Sequence, residues 1–289
     1  MNIFITGGTG FIGSRLVKKL TALNHRIFVL SRTKKKAEDN VSYISIDDVN
    51  KTFQEGIDVV IHMATEYGRS NDSNSMEDVN YQLPDYLLRL SKEFNVKCFL
   101  NTDSFYCRYP EKFQHMQGYI KTKDMFKKKL FEEDVTTLKR VNVVISHVCG
   151  EGDSSEKFLP WVIDQIYNGN DLHLSECLQE LDFIDVYDVA EAYSVIIENL
   201  SMLEDKDEYD VGTGNVVQLK KLIYKLLLLM QKKIDVSESI LLFGKNLSVN
   251  VHGSFKADIS KISALGWRST IPLNESLISM VAERINKAD

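Results

Sequence analysis

The stretch Ile3-Phe4-Ile5-Thr6-Gly7-Gly8-Thr9-Gly10-Phe11-Ile12-Gly13 decides how this chain folds. Ile3 to Ile5 is a short apolar run of the length a buried strand needs. It stops at a glycine-rich turn, and a helix-compatible segment follows. A strand, a glycine turn and a helix in that order build an anion site. Gly7 and Gly10 take backbone angles that other residues avoid and let a phosphate approach the main chain. Gly13 lets the helix pack on the strand, while the helix N-terminus presents free N–H groups to a pyrophosphate. The glycines fit both Gly7-x-x-Gly10-x-x-Gly13 and Gly8-x-Gly10-x-x-Gly13. A bare glycine turn without ligand is the bland alternative, and the strand-before, helix-after context speaks against it.

Working outward, Arg26 to Leu30 reads as a second strand ending at Ser31-Arg32. At that tip an acidic residue would bond the ribose 2′-hydroxyl of NAD, whereas an arginine accommodates the 2′-phosphate of NADP. No Asp or Glu lies between Leu30 and Lys36, and Arg32 stands beside Lys34-Lys35-Lys36, so charge favours NADP. Ile44 to Ile46 reads as a third strand and Val59 to Ala64 as a fourth. His62 within the fourth is expected to be a satisfied core histidine. Asn80 is read as opening the next helix. Cys98-Phe99-Leu100 is the next strand, followed by Asn101-Thr102-Asp103-Ser104.

Tyr119 and Lys123 stand four apart and share one helix face. A free phenol has a pKa of about 10, too high for ready proton exchange at neutral pH. A neighbouring ammonium favours the phenolate, so the pair is read as an acid–base group, with Thr102 bonding the reacting oxygen. Val141 to Val148 reads as a sixth strand. Leu222 to Met230 reads as a buried amphipathic helix, far too short to span a bilayer. Ala257 to Trp267 is taken as a closing helix and turn.

The bulk numbers set limits. A length of 289 residues holds one large α/β domain or a nucleotide domain with a smaller partner. A net charge of -6 argues against a nucleic-acid partner. Four cysteines without a CxxC pair point to free thiols in a reducing cytoplasm and to no metal site. No signal peptide precedes the first strand, so the chain is expected to be cytoplasmic and not membrane-bound.

The glycine loop, the strand-end Thr102 and the Tyr119-x-x-x-Lys123 pair together resemble the extended short-chain dehydrogenase/reductase family, whose members mostly act on nucleotide-linked sugars. Within it, His62 to Gly68, Asn101 to Phe105 and Gln114 to Lys123 look most like CDP-abequose synthase-type 4-ketoreductases. The resemblance implies an α/β, Rossmann-type doubly wound parallel sheet with a smaller C-terminal α/β substrate domain. The first domain would span 1–153 and about 183–214, the second about 154–182 and 215–289. It implies reduction, with NADPH as cofactor, of the 4-keto group of a nucleoside-diphosphate-linked 4-keto-6-deoxyhexose, used for surface polysaccharide.

By the same resemblance, Thr102, Tyr119 and Lys123 are catalytic. Gly7, Gly10, Phe11, Ile12, Gly13, Ser31, Arg32, Asp47, Ala64, Tyr119, Lys123 and His147 would contact the cofactor. Thr65, Ser104, Phe105, His147, Lys157 and Phe158 would contact a nucleotide-sugar substrate, and a homodimer is implied. Asn80 would brace the active-site backbone. Two departures stand out. Ser104 replaces the glutamate that sugar-nucleotide dehydratases place after Thr-Asp, which disfavours dehydration, and Asp103 is left to orient the loop. Leu181 stands where the family has a diphosphate-binding arginine, and the segment 245–251 carries none; Lys245, Lys157 and His147 are the candidate substitutes. An epimerase of the same fold, a reductase of a non-nucleotide ketone and a non-catalytic nucleotide sensor are the rival readings.

Overall fold

Hydrophobic runs too short for helices and bounded by turns assemble into one large sheet. In the computed structural model, which describes residues 1–33, 35–38, 40–68, 75–132, 137–244 and 251–287, seven strands pair in parallel. They are β1 (Asn2–Thr6), β2 (Arg26–Leu30), β3 (Val41–Ile44), β4 (Val59–His62), β5 (Cys98–Ser104), β6 (Lys139–Ile145) and Asp207–Val211. Their spatial order is Asp207–Val211, β6, β5, β4, β1, β2, β3. Strand order reverses beside β1, between β2 and β4, the place where open α/β sheets bind ligands beyond the strand ends.

The sheet is buried on both faces, as parallel sheets are. Ile3, Phe4, Ile5, Val59, Val60, Ile61, Phe99 and Leu100 have no exposed surface. Phe53, Leu87, Leu88, Phe126 and Leu130 from the flanking helices pack with Phe4, Val60 and Phe99 in one cluster. Strand lengths place the chemistry. β4 ends at His62, paired with Asn101, but β5 runs on with Thr102, Asp103 and Ser104 paired to β6. Thr102 therefore overhangs the end of β4 on the carboxyl side of the sheet.

Two strand boundaries differ from the sequence reading. The third strand is Val41–Ile44, and Ile46–Asp48 forms a tight 3₁₀ turn that carries Asp47. The Ser45 hydroxyl donates to Asp48 Oδ2 at 2.6 Å and closes that turn. The sixth strand ends at Ile145, and His147–Cys149 pairs separately with Phe183–Asp185. Asn80 lies within a π-helical turn, Asp78–Gln82, ahead of helix Leu83–Glu93.

By contacts the chain divides into two units. The first comprises Met1–Ile145, Ala190–Val211 and Ser260–Trp267; the second comprises Ser146–Val189, Gly212–Ile259 and Arg268–Asp289. The expected boundaries shift accordingly: residues 146–153, 183–189 and 212–214 pack with the second unit, and 260–267 with the first. Backbone pairing of His147–Cys149 with Phe183–Asp185 explains the first shift. Within the second unit, helix Leu219–Gln231 buries Leu222, Ile223, Leu226, Leu227 and Met230 while Leu228 faces outward, the one-sided pattern of an amphipathic helix. The fully buried Asp182 carboxylate gathers Thr213 N at 2.9 Å, Thr213 Oγ1 at 2.7 Å and Gly214 N at 2.9 Å, fixing the turn after Val211. The closing segment is a short helix, Ser260–Ala264, and a further helix, Leu273–Asn286, follows it. Among the described residues no helix is long and apolar enough to cross a membrane.

One buried charge in the first unit makes a stability prediction. Arg140 on β6 is 1% exposed, and its Nε and backbone N both donate to Asp205 Oδ1, at 3.0 and 2.9 Å. These bonds hold the Asp205 carboxyl below its ordinary range, against the opposing effect of burial. Its folded pKa is depressed, so the stabilisation is present above the unfolded value of about 4 and is lost as pH falls through the folded one. Asp205→Asn removes the charge facing the buried guanidinium and, because the carboxylate is itself over a third exposed and screened by solvent, should cost about 1 kcal/mol at neutral pH. Denaturant unfolding at pH 7 and at pH 3 should show this gap narrowing in acid.

Candidate active site

The glycine turn forms a cradle in which a side chain cannot fit. Gly7 has φ +70°, and a Cβ there would lie 2.7 Å from Ala64 N. A Cβ on Gly13 would lie 2.1 Å from the Gly7 carbonyl oxygen, which accepts the Gly10 N–H at 2.9 Å. Gly8 is different: its Cβ position abuts Val29 and Val17, so it serves helix–strand packing. The spacing that builds the cradle is thus Gly7-x-x-Gly10-x-x-Gly13. Helix Phe11–Ala22 begins beside it with no side-chain cap. The first N–H groups of a helix point toward an anion placed at its start. That start, beside a space closed to any Cβ, fits a pyrophosphate.

Thr6, the last residue of β1, fastens the opposite wall. Its Oγ1 accepts N–H bonds from Met63 at 3.2 Å and Ala64 at 3.1 Å. Its own proton is then free for His62 Nδ1 at 2.8 Å. His62 is fully buried; burial and the Lys123 ammonium hold it neutral, with a pKa well below the usual value. Its Nδ1 has the core bond expected of it, whereas Nε2 is buried without a partner.

At the end of β2, the Ser31 hydroxyl donates to Thr33 O at 2.8 Å. Arg32 is exposed and makes no ion pair among the described residues. Asp47 is exposed on its turn. Lys34 and Lys245 lie outside the described residues.

Thr102, Tyr119 and Lys123 all lie buried in the first unit. Helix Gln117–Glu132 carries the last two on one face, and Lys123 Nζ donates to the Thr102 carbonyl at 2.9 Å. The Thr102 hydroxyl is bonded to the Tyr193 phenol at 2.6 Å. Burial lowers the Lys123 pKa, opposed by the Asp103 carboxylate. The phenol of Tyr119 departs from the sequence reading. Burial pushes it well above its ordinary value, reinforced by Tyr67, Asp103 and Cys107, and only a hydrogen bond with Thr65 opposes the rise. The reason is that burial outweighs what the ammonium, bonded to the Thr102 carbonyl and faced by Asp103, contributes. Tyr119 is therefore a firmly neutral acid in this state.

Asn80 holds the surrounding backbone. Its amide exchanges bonds with Glu66 N at 3.0 Å and Glu66 O at 2.8 Å, and donates to Thr122 Oγ1 at 3.1 Å. Thr122 in turn donates to Tyr119 O at 2.9 Å. The π-helical turn is what aims this side chain at both loop and helix. Asp103 accepts from Ser104 N at 2.8 Å and Asn142 Nδ2 at 3.0 Å, which fixes the strand-end loop. Ser104 Oγ accepts the Tyr106 N–H, and Phe105 packs against Tyr106 and Phe113. Tyr67 stacks on Tyr119 with ring centroids 5.0 Å apart and interplanar angle 23°.

His147, Lys157 and Phe158 belong to the second unit. His147 packs on Phe183, its pKa pushed down to about 3 by burial, and Lys157 pairs with Asp153 at 2.8 Å. Phe158, at the start of helix Phe158–Tyr167, is exposed. The four cysteines are free thiols. Among the described residues no group of His, Cys, Asp or Glu converges as metal ligands would.

Sequence reasoning assigned no role to Tyr193, and none to Tyr67 beyond its place in a motif. A tyrosine on an apolar helix gives no signal of the partner its hydroxyl finds 91 residues away.

Known proteins resemble this chain in sequence and fold. The model of the NAD dependent epimerase/dehydratase family matches residues 3–212. A CDP-abequose synthase of Salmonella typhimurium is 32% identical over 279 residues, 92% of each chain, and one of Salmonella muenchen is 27% identical over 97% of each. Among solved structures, the UDP-glucose 4-epimerase of Thermotoga maritima superposes over all of both chains with a TM-score of 0.80 at 19% identity, a likeness of fold alone. The match over most of the glycine cradle, the sheet and the Tyr119–Lys123 helix makes this chain a member of the NAD dependent epimerase/dehydratase family, with the fold of the extended short-chain dehydrogenases.

Proposed function

We propose that this protein reduces, with NADPH, the 4-keto group of a nucleoside-diphosphate-linked 4-keto-6-deoxyhexose, in the cytoplasm and for surface polysaccharide. The observation that carries the reading is the buried Lys123, bonded to Thr102 at the carboxyl end of the sheet, with the buried Tyr119 one turn away on the same helix face. The similarity to CDP-abequose synthases over nearly the whole chain supports a nucleotide-sugar substrate. Arg32, exposed where NAD-preferring relatives of this fold use an acid, supports NADP. Gly7, Gly10, Phe11, Ile12, Gly13, Ser31, Arg32, Asp47 and Ala64 would hold the cofactor.

When bound, NADPH supplies the hydride equivalent. Tyr119, neutral and buried, gives its proton to the carbonyl oxygen as negative charge develops there. Thr102 donates a hydrogen bond to the same oxygen, and Lys123 steadies the Thr102 backbone and the ribose. Thr65, Ser104, Phe105, His147, Lys157 and Phe158 are the proposed substrate contacts, Lys157 and His147 standing in for the missing diphosphate arginines. Helices Leu83–Glu93 and Gln117–Glu132 are the proposed faces of a homodimer.

Epimerases share this fold, so turnover has to separate the readings. CDP-, dTDP-, UDP- and GDP-linked 4-keto-6-deoxy sugars should be offered with NADPH or NADH while nicotinamide absorbance is followed. One sugar nucleotide should consume one NADPH per molecule reduced, faster than with NADH. Flat absorbance while a sugar nucleotide is isomerised would replace the reductase by the epimerase.

A further inference from the structure

We propose that Tyr193 is a positioning residue that sets the direction of the Thr102 hydroxyl, by donating its own phenolic proton to Thr102 Oγ1. The proposal goes beyond the reductase reading and rests on it only for the role of Thr102.

The argument is an accounting of protons. Tyr193 sits on helix Val186–Glu198 with no exposed surface. Among the described residues its hydroxyl has one hydrogen-bond partner, Thr102 Oγ1, at 2.6 Å. Geometry alone allows either oxygen to donate. Were Thr102 the donor, the phenolic O–H would need a second acceptor, and among the described residues the only bond this fully buried hydroxyl makes is the one to Thr102. With Tyr193 as donor, its single proton is satisfied and Thr102 keeps its own. The threonine is 7% exposed and overhangs the end of β4, so its remaining proton is free for an oxygen bound beyond the sheet. Burial raises the Tyr193 pKa, which keeps that donor protonated.

The rest of Thr102 is fixed independently. Lys123 Nζ holds its carbonyl at 2.9 Å, and the flanking Asp103 and Ser104 stay paired with β6. Only rotation of the hydroxyl is left undetermined by the backbone, and the phenol determines it. Without Tyr193 the threonine hydroxyl would spread over several rotamers and donate to the reacting oxygen part of the time. Thr102 would still touch the substrate; Tyr193 acts through it.

Two measurements test this, one of them without substrate. With tyrosine labelled by carbon-13 at Cζ, a mixture of H₂O and D₂O splits the Tyr193 signal if its hydroxyl exchanges slowly. Splitting in the wild type that collapses in Thr102→Val is expected. A single averaged line in the wild type, or splitting unchanged in Thr102→Val, would overturn the donor assignment. In turnover, Tyr193→Phe should lower kcat about tenfold with KM within about twofold, and should add nothing to Thr102→Val. Wild-type kcat in Tyr193→Phe, or a full additional loss on top of Thr102→Val, would sink the positioning role even if the proton direction is right. A wild type that isomerises instead of oxidising NADPH refutes the reductase alone, and the same variant series is then read on isomerisation. The isotope experiment reports whichever reaction is found.

Discussion

Tyr119→Phe is expected to lower kcat for ketone reduction by about a thousandfold while leaving NADPH affinity within about twofold, because it removes only the proton donor. The ring stays stacked on Tyr67 and the helix keeps its Thr122 bond to the backbone, so the fold has no reason to change. Stopped-flow turnover and cofactor titration measure the two effects separately. The pH profile carries a sharper expectation. A tyrosine acidified by its lysine would lose its proton near neutrality, and reduction would fade above pH of about 8. Burial raises this phenol above its ordinary value of about 10, so the proton is retained throughout that range. The rate limb reporting Tyr119 in kcat/KM should therefore lie above pH of about 10. A fall at neutral pH that vanishes in Lys123→Met would return the lysine to the acidifying role read from the sequence.

Gly13→Ala is expected to weaken NADPH binding at least about a hundredfold, roughly 2.7 kcal/mol. The added methyl would stand 2.1 Å from the Gly7 carbonyl oxygen and 2.7 Å from Gly8 Cα, all of it backbone that no rotamer change can clear. The turn must open, and the cradle opens with it. Titration of nicotinamide fluorescence reads the loss, and circular dichroism checks that the variant is folded. Binding at the wild-type level would mean that the cofactor does not use this turn.

What the sequence revealed followed from the range of the interaction involved. The glycine turn was legible because its requirement is local: strand, turn and helix lie within a few residues. Tyr119 and Lys123 were legible for the same reason, as one helix face. The end of β6 was not, because Ser146-His147 interrupts the apolar run only briefly before Val148, and the chain changes partner there through pairing of His147–Cys149 with Phe183–Asp185. Asp47 was placed just past a strand that in fact ends three residues earlier, since a Ser45–Asp48 bond outweighs the β propensity of Ile46. The site was harder again. Neither the phenol that claims the Thr102 hydroxyl nor the ammonium's preference for a carbonyl leaves a trace in spacing. Both depend on which groups burial deprives of water.

The place of β1 has a consequence for how the protein is made. Of the seven strands of this sheet β1 is made before the others, yet it ends with neighbours on both sides, and β4, one of them, is not translated until residues 59–62. Thr6 cannot fasten Met63 and Ala64 before then, so the phosphate cradle has only one wall during early synthesis. Nascent chains released short of that point should be unable to capture a dinucleotide, however complete their glycine turn.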